Sequence, residues 1–228
     1  MSVTVIIPCY NGGPFLREST ESALRQTAPP AQVIVIDDGS TDDSASVAAA
    51  FPEVTLVRQT NHGLSLTRNR GLAEATAEFV VFQDPNDRLL PHALETGLPA
   101  LREHPECGFV YGFHRPIDFE GRALPEPKRR FVDDASYLRT LEGDTLVPPG
   151  CAMFRRAPVE KIGGLRHEAF PTEDYDFYLR LGREAGIHCH NRTVVEYRQH
   201  AGNISSKSPS RGLRAAHRTL ETQREHAR

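Results

Sequence analysis

The residues best suited to chemistry are Gln83-Asp84-Pro85-Asn86-Asp87, directly after the apolar run Phe79-Val80-Val81-Phe82. A buried strand that ends in carboxylate and amide oxygens can hold a divalent cation beside a ligand. Oxygen-rich donor sets of this kind suit Mg²⁺ or Mn²⁺, and phosphates can complete the coordination shell. Three further polar elements lie upstream: Pro8-Cys9-Tyr10-Asn11, Asp37-Asp38-Gly39-Ser40 and the stretch from Asn61 to Asn69. Together they outline a pocket for a phosphorylated ligand.

These residues must be positioned by regular elements, and the first half of the chain supplies them in alternation. Val3-Thr4-Val5-Ile6-Ile7, Val33-Ile34-Val35-Ile36, Val54-Thr55-Leu56-Val57 and Glu78 to Phe82 read as short β-rich runs. Helical spacing falls between them, over Phe15 to Thr27, after a cap at Ser40 or Thr41, over Leu64 to Ala77, and over Pro91 to His104. Continuous apolar strands separated by amphipathic helices predict a mostly parallel sheet covered on both faces. Such sheets bind ligands beyond the carboxyl ends of their strands, where Pro8, Asp37-Asp38 and Asp84 all fall.

The second half is less regular. Gly108 to Phe119 reads as a strand pair or one long bent strand, and Glu120 to Arg130 as a proline-rich charged loop. A short helix is expected over Asp133 to Leu141, a strand at Cys151-Ala152-Met153-Phe154, a helix over Glu173 to Ala185 and a final strand over Arg192 to His200. The reading is one domain over residues 1–206, with halves at 1–104 and 105–206. A basic tail at 207–228 has no clear packed face.

Bulk properties set limits on function. The 228 residues suffice for one substantial core, and 27 basic against 30 acidic side chains make no general case for nucleic-acid binding. No stretch approaches the roughly 18 apolar residues of a membrane span, and no signal-peptide pattern opens the chain. A cytoplasmic location is therefore expected, with a peripheral place at the inner face of the membrane still open for a lipid-linked substrate. Cys9, Cys107, Cys151 and Cys189 are too widely spaced for a disulfide framework and are expected to be reduced and buried. His188-Cys189-His190 offers metal-ligand types, but adjacent strand side chains point to opposite faces, so no structural zinc site is expected there.

In order along the chain, Val5-Ile6-Ile7-Pro8-Cys9-Tyr10-Asn11, Val35-Ile36-Asp37-Asp38-Gly39-Ser40-Thr41-Asp42, the segment Asn61 to Gly71, Thr172-Glu173-Asp174-Tyr175-Asp176 and Arg198-Gln199-His200 resemble the signatures of the family 2 glycosyltransferases. Each is weak alone; five in order are specific. The resemblance implies an inverting, metal-dependent transferase with a GT-A α/β fold, binding a nucleoside diphosphate sugar, with a UDP-sugar favoured. By this resemblance, Pro8, Tyr10, Asp37, Asp38, Gly63, Arg68 and Asp84 serve the nucleotide. Asp87, Asn86 and His200 serve Mg²⁺ or Mn²⁺, Asp174 is the catalytic base and Glu173 meets the acceptor. Where the family often has Asp-x-Asp-Asp, this chain has Asp84-Pro85-Asn86-Asp87, and Asn86 offers a carbonyl oxygen without charge.

The implied partners are the nucleotide sugar and a saccharide, glycoconjugate or lipid-linked acceptor; a homodimer stays open. Other readings of the same residues stay open too. Asp37-Asp38 and Glu173-Asp174 suit turns and helix starts, and Arg68 can pair with an acid. A weakly catalytic nucleotide-sugar-binding protein and a nucleotidyltransferase are the alternative functions. The second lacks a Gly-rich loop with a phosphate-binding lysine near the N-terminus.

Overall fold

A computed structural model describes residues 2–126, 128, 131–132, 148–203 and 219–222. The helix expected over 133–141, and the tail apart from 219–222, lie outside the described residues. The strands are β1 (Val3–Cys9), β2 (Gln32–Asp37), β3 (Val54–Arg58), β4 (Phe79–Phe82), β5 (Arg88–Leu89), β6 (Cys107–Ile117), β7 (Ala152–Arg155) and β8 (Gly186–Arg198). The helices are α1 (Gly13–Leu24), α2 (Ser44–Ala49), α3 (Leu64–Glu74), α4 (Ala93–Glu103), α5 (Arg156–Lys161) and α6 (Glu173–Glu184).

All eight strands join one sheet in the order β3-β2-β1-β4-β7-β6-β8-β5. β1 pairs in parallel with β2 and β4, β2 with β3, and β6 with β8. β7 runs antiparallel to both β4 and β6, and β5 antiparallel to β8. This is the α/β architecture of the GT-A fold, a mostly parallel sheet flanked by helices.

Side-chain alternation along the strands splits the core in two. Val3, Val5, Ile7 and Cys9 of β1 face a layer holding Leu16, Ala23, Leu94 and Leu101 from α1 and α4. Ile6 faces the other layer, with Leu72, Val159, Phe177 and Leu181 from α3, α5 and α6. Burying each such side chain contributes about 1.5–3 kcal/mol, so a strand apolar on both faces is anchored from both sides.

The topology also fixes where a ligand fits. From β1 the chain steps to β2 and β3 on one side, then returns to β4 on the other. The crevice therefore opens at the β1/β4 reversal, at the strands' carboxyl ends. Ile6 registers with Phe82, so the loop 83–87 leaves the sheet opposite the last residues of β1.

The second half shows the differences. Gly108 to Phe119 resolves as one long strand, β6, whose register against β8 shifts three times. β8 begins at Gly186, well before the expected Arg192, because pairing with β6 holds a polar stretch that has no apolar run of its own. α2 begins at Ser44 rather than after Ser40 or Thr41. Ser40 and Thr41 are engaged elsewhere: Ser40 Oγ accepts from Asn11 N at 3.0 Å, and Thr41 N donates to Asn11 Oδ1 at 2.8 Å. All four cysteines are buried and in no disulfide. Among the described residues, no helix is long and apolar enough to cross a membrane.

Gly71 lets α3 lie directly on β1, since a Cβ there would come within 2.2 Å of Ile6 Cγ2. Gly71→Ala should therefore cost roughly 1–3 kcal/mol through overpacking. The check is urea denaturation: the midpoint should fall, and an unchanged midpoint would show that the helix does not need this approach.

Candidate active site

The crevice is walled by four segments. On the β1/β2 side, the loops after both strands are stapled together by the Asn11 contacts with Ser40 and Thr41. Asn11 adopts φ 53 to do this, a left-handed conformation that asparagine tolerates. Tyr10 is left 54% exposed at the mouth, free to offer its ring to a ligand, and Pro8 lies within β1 behind it.

Asp37 and Asp38 are both buried. Asp37 Oδ1 accepts from Ser40 N at 3.0 Å, and its Oδ2 pairs with Arg58 Nε at 3.1 Å. Asp38 Oδ1 accepts from Gln59 Nε2 at 2.7 Å and His62 N at 2.9 Å, while Oδ2 accepts from Gly63 N at 2.9 Å. A carboxylate offers about four lone-pair sites, so Asp38 keeps one, on Oδ2. Gly63 sits at φ 87, ψ 162, a region essentially reserved for glycine, and this aims its N–H at Asp38 as α3 begins.

The centre of the site is Arg68, which is only 1% exposed. Its Nη2 donates to Asp84 Oδ1 at 2.8 Å, its Nη1 contacts Asp174 closely, and Glu173 Oε1 lies 3.7 Å from Nη1. The resemblance assigned Arg68 to the nucleotide; in the structure its terminal nitrogens face carboxylates. Burial opposes its charge, but Asp174, Asp84 and Glu173 together hold it more firmly protonated than usual. Glu173 is pushed up to about 7, by burial first and then by the neighbouring Asp174 charge. Asp174 is also raised, by removal from water and by Asp84, against the pull of Arg68.

The loop 83–87 is held from below. Gln83 Nε2 donates to Ser19 Oγ at 2.7 Å and Ser22 Oγ at 3.0 Å, tying the loop to α1. Asp87 is 1% exposed; its Oδ1 accepts from Arg198 N at 2.9 Å. Burial and the Asp84 charge push its carboxyl well above the usual range. Its buried Oδ2 has no hydrogen-bond partner among the described residues. Asn86 Nδ2 lies 3.1 Å from His200 Nε2.

This donor set fits a hard or borderline divalent ion. One guanidinium faces three carboxylates, so the pocket is short of positive charge. Asn86 and His200 meet side by side and Asp84 stands on the same loop as Asn86 with Oδ1 on Arg68, whereas Asp87 is turned toward β8.

Sequence reasoning missed the role of Arg198. Its Nε donates to Asn86 O at 2.9 Å, its Nη1 to Phe119 O at 2.6 Å and its Nη2 to Glu18 Oε2 at 2.6 Å. Its guanidinium also lies 4.8 Å from the Phe15 ring centroid. One buried arginine thus fixes the loop 83–87, the end of β6 and α1 together. The Arg198–Glu18 pair spans 180 positions, and no local pattern in the sequence signals it.

The sequence model of glycosyl transferase family 2 matches residues 4–163. The chain belongs to glycosyl transferase family 2. An uncharacterized glycosyltransferase of Rickettsia felis is 27% identical over 217 residues, which cover 90% of this chain and 35% of that protein. The chain thus spans about a third of the length of the first curated relatives it matches. Among solved structures, Staphylococcus aureus TarS 1–349 in complex with UDP-GlcNAc superposes with a TM-score of 0.80 at 22% identity, covering 98% of this chain and 66% of that one. The mannosyltransferase PcManGT from Pyrobaculum calidifontis, in complex with GDP-Man and Mn²⁺, gives 0.67 at 20% identity, covering 90% and 58%. These family 2 sequence and GT-A structural likenesses agree with the fold derived above.

The raised Glu173 carboxyl has a defined effect on stability. The folded chain holds its proton more tightly than the unfolded chain does. Stability therefore falls as pH rises from the ordinary glutamate value of 4.5 to about 7. Glu173→Gln should remove this loss, gaining on the order of 3 kcal/mol over the wild type between pH 4.5 and pH 8. Urea melts at both pH values check this, and an equal gap at the two would contradict it.

Proposed function

We propose that this chain is an inverting glycosyltransferase that moves a sugar from a nucleoside diphosphate sugar to an acceptor hydroxyl. The observation that carries the reading is Arg68, which joins Asp84 of the donor-side loop to Asp174 at the start of α6. One guanidinium thus separates the diphosphate end of the crevice from a carboxylate that can act as a base.

Residues 1–104 form the donor half and 105–206 the acceptor half. Tyr10, Pro8 and Gly63 border the nucleoside, and Asp37 supports the turn that presents Asp38. The remaining lone pair of Asp38 suits the imide N–H of uracil, which favours a UDP-sugar, the class of ligand in the TarS complex. Asp84, Asn86 and His200 would hold Mg²⁺ or Mn²⁺, with Asp87 fixing the loop behind them. The bound cation would stabilise charge on the departing diphosphate.

In the reaction the acceptor oxygen forms a bond to C1 as the bond from C1 to the diphosphate oxygen breaks. The nucleoside diphosphate leaves with that electron pair, and Asp174 takes the hydroxyl proton. The single displacement inverts C1 and needs no covalent sugar–enzyme intermediate. Glu173, beside the base, is placed to meet the acceptor. Polysaccharide or glycoconjugate assembly on the cytoplasmic side, with a saccharide or lipid-linked acceptor, is the role this chemistry fits.

Asp174→Asn should lower transfer by about 10²–10⁴-fold, the usual weight of a general base, while donor binding stays near wild type. Release of nucleoside diphosphate from a panel of donors and saccharide acceptors reads the first, and calorimetry the second. Near-normal transfer by the folded variant would sink the assignment. Asn86→Asp should tighten Mn²⁺ binding in the presence of nucleotide by roughly tenfold, or about 1.4 kcal/mol. Unchanged metal affinity would remove Asn86 from the ligand set.

A further inference from the structure

A second cluster of metal-ligand side chains lies at the opposite pole of the sheet. β6 runs parallel to β4, because β7 is antiparallel to both. Its first residue, Cys107, therefore sits at the amino end of the sheet, away from the carboxyl-end crevice. His104, Glu106 and Cys107 fall within one tetrapeptide between α4 and β6, and Pro105 restricts its backbone.

Their donor atoms converge. His104 Nδ1 is 3.3 Å from Glu106 Oε1, and Cys107 Sγ is 3.6 Å from the same oxygen. All three atoms lie within 4.8 Å of one another. Ligand bonds of about 2.0–2.1 Å to N or O and 2.3 Å to S give a tetrahedron with edges of roughly 3.3–3.7 Å. Two of the three edges already have that length, and the third is no longer than 4.8 Å.

The surroundings suit the same purpose. The His104 ring stacks on His188 of β8, with centroids 3.8 Å apart and planes 19° from parallel, which limits its orientation. Gly186 lies beside the thiol, where a Cβ would come within 3.2 Å of Cys107 Sγ and crowd it. Glu106 is exposed, so the cluster opens to solvent. The sequence discounted zinc at His188-Cys189-His190 because adjacent strand side chains point to opposite faces. The fold brings this second cluster to His188 and leaves Cys189 out of it.

We propose that His104, Glu106 and Cys107 form a binding site for a borderline divalent transition ion, Zn²⁺ fitting best, with the fourth position open to water. A mixed sulfur, nitrogen and oxygen set selects Zn²⁺ over Mg²⁺, which takes oxygen donors. On binding, Cys107 releases its thiol proton and His104 carries its own on Nε2. The ion ties the end of α4 to the start of β6, and the site stands independently of the sugar-transfer reading.

The test is titration of Zn²⁺ into the metal-free full chain by calorimetry, with excess Mg²⁺ present to occupy oxygen-rich sites. Co²⁺ is added in parallel to read thiolate ligation by its charge-transfer absorption. One Zn²⁺ per chain is expected, bound at least hundredfold more weakly by Cys107→Ser and at least tenfold more weakly by His104→Ala. Because Cys107 is buried, Glu106→Gln at an exposed position supplies a variant certain to test the site in a folded chain, and it should also weaken binding at least tenfold. Absence of Zn²⁺ binding would overturn the proposal. So would equal binding by all three variants, or binding lost only in His200→Ala, which would place the ion in the crevice.

Discussion

The site depends on a buried guanidinium placed among three carboxylates. Burying Arg68 is tolerable only because Asp84, Glu173 and Asp174 face it, and those acids are held close only because Arg68 lies among them. Removing Arg68 would leave three carboxylates at one point with no cation, and breaking such a pairing costs about 3–5 kcal/mol. The consequence is geometric as well as energetic. Asp84 follows β4, while Glu173 and Asp174 open α6, some ninety positions later. Arg68 brings these two regions to one point, and the proposed donor and acceptor sides meet there.

Arg198 does the corresponding work beneath the loop. Its backbone N–H engages Asp87, and its guanidinium engages the Asn86 carbonyl, the Phe119 carbonyl and Glu18. The strand β8 that carries it also carries the chain toward His200. Loop 83–87 is thus fixed by backbone and side-chain contacts before any ligand arrives, the kind of preorganisation that electrostatic catalysis requires. The proposed divalent ion would complement the net negative charge around Arg68.

The parallel half of the fold was legible because its strands are apolar on both faces and its helices carry a regular stripe; Val3–Ile7 and Val33–Ile36 needed no context. β8 was legible only in its second part, since residues 186–191 contain histidine, cysteine and asparagine and are held as a strand by pairing with β6. The short motifs fall at the carboxyl ends of β1, β2 and β4. They could not show how the side chains are spent. Asp38 gives three of its lone-pair sites to Gln59, His62 and Gly63. Arg68 meets acids, and Asp87 turns toward β8. Such commitments come from long-range packing, which spacing along one segment does not encode.

The most direct test of the account is calorimetric titration of UDP, dTDP and GDP, and their sugars, into the full chain with Mn²⁺, Mg²⁺ or chelator. The account predicts selective binding, strongest for a uridine ligand, that weakens at least tenfold when the metal is removed. Binding of equal strength with and without metal would contradict a crevice whose missing positive charge is supplied by a cation. Failure of every nucleotide to bind under any metal condition would contradict the donor site itself.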